Sequence, residues 1–153
     1  LGLRTSAGYS WGDPDNTLST YYFGGFGNNW VDHQEVRRYR DYYSFPGIEI
    51  NELGGNNFAK TMLEWDLPPL RFKRLGFPEL YCTWASAALF GSAIVTDLDE
   101  SEFRQELYNI GAQVDFKHVI FNNLSSTLSI GYARAFDNDR NGSNEFMISL
   151  KIL

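Results

Sequence analysis

The sequence is poor in the residues that announce chemistry. It has one cysteine, Cys82, so no disulfide can form within the chain. It has two histidines. One, His33, sits with Asp32 and Glu35 but has no second ligand cluster, so no metal site is expected. The other, His118, lies on an apolar strand face beside a turn, a position expected at a membrane interface. No Ser/His/Asp or Cys/His arrangement has the spacing of a nucleophilic site, so the chain reads as non-enzymatic, with no cofactor. Paired carboxylates occur only in segments such as Asp97-Leu98-Asp99-Glu100, which a solvated loop explains. Gly24-Gly25-Phe26-Gly27 lacks the Gly-x-Gly-x-x-Gly order of a phosphate loop. Basic residues form no stripe, and the net charge is -6, which excludes nucleic acid as a partner. No run approaches the ~18 apolar residues of a transmembrane helix. The most apolar stretch, Trp84 to Val95, is broken by Ser86, Gly91 and Ser92.

What is present is alternation. The chain is 43% hydrophobic and 16% aromatic. Its last segment sets Phe146, Ile148, Leu150 and Ile152 on one face and Glu145, Met147, Ser149 and Lys151 on the other. The same period of two recurs upstream, and seven strands are predicted. The first, 1–11, sets Leu1, Leu3, Ala7, Tyr9 and Trp11 against Gly2, Arg4, Ser6, Gly8 and Ser10. A turn at 12–16 leads to the second, 17–27, rich in Tyr and Phe. A long polar and aromatic loop, 28–56, follows. The third, 57–67, sets Thr61, Leu63, Trp65 and Leu67 against Lys60, Met62, Glu64 and Asp66, and Pro68-Pro69 ends it. A basic connection at 68–79 leads to the fourth, 80–95, whose alternation is poor enough to leave a buried helix open. The fifth (107–121), the sixth (127–136) and the terminal strand (145–153) complete the set.

These segments have the length of tilted strands that cross a bilayer, and the connections between them alternate in length. The fold class expected is therefore all-β: seven or so antiparallel strands at the C-terminal side of a transmembrane β-barrel, occupying residues 1–153. The loops at 28–56, 96–106 and 137–144 would lie outside, with the C-terminus periplasmic. Aromatics near the strand ends, Trp65 and Phe136 among them, fit a membrane girdle or, on the other reading, a β-sandwich core. The chain starts at Leu1 without a signal peptide, so it is expected to be the C-terminal piece of a longer exported protein. An open sheet would leave two unpaired edges in lipid, so further strands are expected, from a missing N-terminal part or from another chain.

Three motifs in order carry a resemblance. They are Val36-Arg37-Arg38-Tyr39, then Leu53-Gly54-Gly55-Asn56, then Leu63-Glu64-Trp65-Asp66-Leu67-Pro68. Together they resemble the bacterial surface-antigen family of outer-membrane assembly and translocation barrels (the BamA/TamA type, with two-partner secretion transporters as relatives). In that family a Val-Arg-Gly-Phe/Tyr loop motif precedes Gly-Gly-Asn and a Leu-Glu-Tyr/Phe strand. The resemblance implies a sixteen-stranded barrel whose long loop folds back into the lumen. It implies that Arg37 reaches Glu64 on the barrel wall, a charge-assisted and bidentate pairing. Arg38 replaces the motif's glycine. The family's second acidic residue has no counterpart in Ala88-Leu89-Phe90-Gly91-Ser92, which leaves Asp66 or Asp115 as substitutes. The bland alternative for the arginines is a solvated loop, in which surface ion pairs contribute about 0–1 kcal/mol.

The function implied is assembly, insertion or translocation of proteins across the outer membrane of a Gram-negative cell, with the terminal strand on a weak seam. The implied partners are outer-membrane lipid, the rest of the barrel, periplasmic or lipoprotein accessory subunits, and client proteins. Two alternatives stand beside it. One is a barrel that anchors or secretes another domain. The other is a soluble β-sandwich or lipocalin-like binding module.

Overall fold

The computed structural model describes residues 1–11, 19–26, 38–99, 102–121, 123–137 and 142–152, with Arg38 and Arg74 by backbone alone. The chain is all-β. One large antiparallel sheet is built from β1 (Gly2–Tyr9), β4 (Asn57–Asp66), β5 (Leu70–Phe77), β6 (Leu80–Thr96), β7 (Gln105–Ile120), β8 (Leu124–Asp137) and β9 (Ser143–Ile152). A small second sheet pairs β2 (Tyr21–Phe23) with β3 (Leu53–Gly55). A 3-10 turn spans Arg38–Arg40.

Two predicted elements change character. Of the predicted second strand, 17–27, the described residues 19–26 are not part of the large sheet: among them Tyr21–Phe23 forms a strand, and it pairs with Leu53–Gly55. β1 instead pairs directly with β4, from Gly2 opposite Glu64 to Tyr9 opposite Asn57. The described residues between Tyr9 and Asn57 therefore lie outside the large sheet, and the predicted turn at 12–16 falls outside the described residues. The basic connection at 68–79 is mostly strand. β4 and β5 lie end to end along one edge of β6, interrupted at Pro68-Pro69, which cannot donate to the ladder. Leu67 N still donates to Ala87 O at 2.9 Å, and the hairpin turns at Pro78-Glu79. Connections at one end of the sheet are thus short (78–79, 121–123), and those at the other end are longer (10–56, 97–104, 138–142).

The register aligns side chains in rows. One row runs Trp65, Leu89, Ala112, Tyr132, Phe146; the next runs Ala87, Val114, Ile130, Ile148. These apolar rows point away from the loop and stay open: Trp65 is 54% exposed and Ile148 63%. The opposite face carries Lys60, Glu64, Ser92, Asn109, Gln113 and Ser129, and these are buried. The sheet therefore shows its greasy side and covers its polar one.

The cover is the segment between β1 and β4. Phe23, Phe45, Ile48 and Leu53 pack on Phe58, Ile94, Leu107 and Ala135. Phe26 and Tyr39 pack on Met62, Ala88, Phe90, Ala133 and Met147. This explains why the alternation of β6 is poor, and why it is a strand rather than a helix. Its outward residues face the open side, while inward Phe90 and Ile94 meet the aromatics of the segment folded over them.

Candidate functional site

The site is the contact between the folded-in segment and the inward wall. Glu64 and Asp66 are two residues apart on β4, so both point to the covered face. The 3-10 turn at Arg38–Arg40 delivers Tyr39 and Arg40 to them. Tyr39 stacks on Phe90, with centroids 4.3 Å apart and planes at 10°. Arg40 Nε donates to Glu64 Oε2 at 2.6 Å, and Arg40 Nη2 pairs with Glu64 Oε1. Nη2 also reaches Asp66 Oδ1 at 3.2 Å. Glu64 is 2% exposed and Arg40 partly so, making this a two-pronged ion pair whose carboxylate side is buried.

The next turn is organised by Lys60. Its ammonium donates to the carbonyls of Asp41 (3.2 Å), Tyr42 (3.1 Å) and Ser44. Ser44 Oγ donates to the carbonyls of Tyr39 and Asp41, at 2.7 and 2.8 Å. Three donors of a buried cation thus find three backbone acceptors. Asn109 Nδ2 donates to Pro46 O at 2.8 Å, while its Oδ1 accepts from Ser92 N and Ser92 Oγ. Gly47 presses onto β8 with φ +107°, and a Cβ there would stand 2.6 Å from Ala135 N. Gly47→Ala should therefore lift the segment and cost roughly 2 kcal/mol. A lower denaturation midpoint at unchanged slope would register this.

On β9, Glu145 accepts two backbone N–H groups. Oε1 takes Phe26 N at 3.1 Å and Oε2 takes Gly47 N at 2.9 Å. At the long-connection end, Asp97 Oδ1 accepts from Asn56 N at 2.9 Å, and Asn57 bonds Leu98 N and the Asp99 carboxylate. Gly55 sits against this corner, where a Cβ would lie 2.7 Å from Thr96 Cβ; Gly54 pairs with Tyr22 in the small sheet.

The sequence-predicted residues divide as follows. Glu64 and Asp66 are on the covered wall and hold an arginine, and Asp66 rather than Asp115 is the second acid. Asp115 instead accepts from Gln113 Nε2 at 2.8 Å. Among the described residues the arginine they hold is Arg40, three residues beyond the predicted Arg37. Val36 and Arg37 lie outside the described residues, as do Asp32, His33 and Glu35, and Arg38 is described by backbone alone. Tyr39 is in the contact through its stack on Phe90. Phe146, Ile148, Leu150 and Ile152 are on the open face of β9, which ends the strand order and, among the described residues, pairs with β8. Sequence reasoning missed Arg40, Lys60 as an organiser, Asn109 and Glu145. It also assigned Asp97 and Asp99 to solvent, whereas both hold the start of β4. The one available signal was that Arg40-Asp41-Tyr42 repeats the spacing of Arg37-Arg38-Tyr39. Among the described residues no group of three or more His, Cys, Asp or Glu is placed to hold a metal ion. A scan against family models, a search of curated proteins and a search of solved structures each return no match.

Proposed function

We propose that the chain is part of the wall of a transmembrane β-barrel in a Gram-negative outer membrane, with its C-terminus periplasmic. The barrel assembles, inserts or translocates proteins across that membrane. One observation carries the reading: the apolar rows of β4 to β9 are on the open face, and buried Lys60, Glu64 and Asn109 on the other face hold the folded-in segment. Exposed rows of this extent suit hydrocarbon. A soluble sandwich would need a second layer over them, and no second sheet covers them among the described residues. The short connections and the C-terminus share one end, as periplasmic turns do. β1 and β9 each have one neighbour in the strand order, so a spanning wall needs further strands to close it. The Arg40 clasp on Glu64 and Asp66 supports the surface-antigen type of barrel over a plain anchor. Outer-membrane lipid, accessory subunits and client proteins are the partners this reading implies.

The test is depletion of the full-length protein in its host. Heat-modifiable, protease-resistant forms of other outer-membrane proteins should fall severalfold. A normal outer-membrane protein profile, with loss of one fused or secreted activity, would replace this reading with the anchor or pore. Recovery of the chain as a detergent-free soluble monomer would remove both.

A further inference from the structure

Glu64 and Glu145 stand at the two ends of one inward row. The register runs from Glu64 to Phe90, Gly111, Ala133 and Glu145, with no charge between the carboxylates. Four strand spacings separate them, roughly 19 Å along the sheet. The folded-in segment crosses this row as a strap. Arg40 grips Glu64 at one end, and Tyr39 stacks on Phe90 beside it. Gly111 leaves the space that Phe90 needs, since a Cβ there would lie 2.4 Å from its Cζ. At the other end Glu145 holds the strap by the backbone N–H groups of Phe26 and Gly47.

We propose that Glu145 is a positioning residue that makes the seating of the strap and the alignment of β9 one coupled equilibrium. Among the described residues β9 is the last strand of the sheet, and its ladder partner there is β8. The strap gives it a second hold. Its Glu145 binds the strap backbone, and its Met147 packs with Phe26, Tyr39 and Phe90. A register shift of two residues would carry Glu145 about 7 Å along the strand and strip both N–H groups of their acceptor. Release of the strap would leave the same carboxylate without those two donors. Each event therefore favours the other, and by linkage to the same extent. The arrangement requires a carboxylate. Glutamine offers one acceptor and turns an NH2 toward the second N–H. Gripped at Glu64 and Glu145, the strap fixes the span of the wall and so the position of the free edge of β9. This deepens the proposed function, resting on it only in taking that edge as the place where the wall meets further strands.

Hydrogen–deuterium exchange on the full-length protein in lipid nanodiscs tests the coupling. In Glu145→Gln, amides in 45–52 and in 143–152 should both exchange about tenfold faster, while those of β7 stay unchanged. Arg40→Ala, which frees the far end of the strap, should also speed exchange in 143–152. Faster exchange in 45–52 with none in 143–152 would reduce Glu145 to a cap on the strap and overturn the coupling. No change in either segment would overturn it as well. If the Gln variant fails to fold, Glu145→Asp keeps the charge, shortens the reach by one methylene and is read on the same amides, with the same two results decisive. Exchange reports the coupling whether or not the barrel inserts other proteins, so a failed depletion test leaves this result standing.

Discussion

Arg40→Ala should release the strap and cost about 3–5 kcal/mol of stability. The size follows from what is left behind. Glu64 is 2% exposed, and Arg40 binds both of its oxygens. Removing the guanidinium leaves a carboxylate under aromatic cover with its bidentate partner gone. Arg40→Lys should recover only part, because an ammonium cannot span both oxygens of Glu64 and still reach Asp66. The double variant Arg40→Ala/Glu64→Ala should be more stable than Arg40→Ala alone, since the buried carboxylate that lost the guanidinium is removed with it. A double-mutant cycle in denaturant, read beside limited proteolysis of 38–52, measures this. If proteolysis of 38–52 is no faster in Arg40→Ala than in the parent chain, the clasp does not hold the strap. On the proposed function, the same variant should lose most activity in a host complementation assay.

Much of the wall was legible because its signal is local. Alternation in 107–121 and 127–136 survives into β7 and β8 because their outward rows are mostly large and apolar (Tyr108, Ile110, Val114, Phe116, Leu128, Ile130, Tyr132, Phe136), and their inward ones mostly small or polar. The alternation of β6 failed because the strap buries its inward side too: Phe90 and Ile94 are apolar for a partner more than 40 residues away in the chain. Residues 17–27 looked like a wall strand because Tyr and Phe favour extended backbone anywhere. Tyr21–Phe23 takes that conformation in the small sheet, against Leu53–Gly55. At 68–79 the prolines hid a continuing strand. Two prolines stop donation, but the chain beyond them resumes pairing with β6.

The clasp was half legible. Glu64 and Asp66 announce themselves by parity on a clear strand. The arginine does not, since Arg37 and Arg40 each stand two residues before a tyrosine, and it is the fold-back of 38–47 that brings Arg40 to Glu64. Glu145 gave no signal at all. Its partners are backbone N–H groups, which every residue except proline has, so no pattern of side chains encodes the contact.

Arginine substitutions on the open face of β9 should separate hydrocarbon from water as the medium it meets. Ile148 and Ile152 lie on the same strand and the same face, at 63% and 57% exposure. In water they are equivalent, and either change should stay within about 0.5 kcal/mol. In a bilayer they differ by depth. Ile148 belongs to the row with Val114 and Ile130, in the middle of the sheet, whereas Ile152 ends β9 opposite Ser126. Four residues separate them by roughly 13 Å along the strand. Ile148→Arg should therefore cost about 2–4 kcal/mol and Ile152→Arg about 0–1 kcal/mol. Folding titrations of the full-length protein in lipid, read by the heat-sensitive gel shift, measure both. Equal small effects would mean that the apolar rows face solvent, and the membrane assignment would fall. A steep depth dependence has no source in water, because screening and hydration do not vary over 13 Å of exposed strand. The contrast between two equally exposed isoleucines therefore reads the surrounding medium directly.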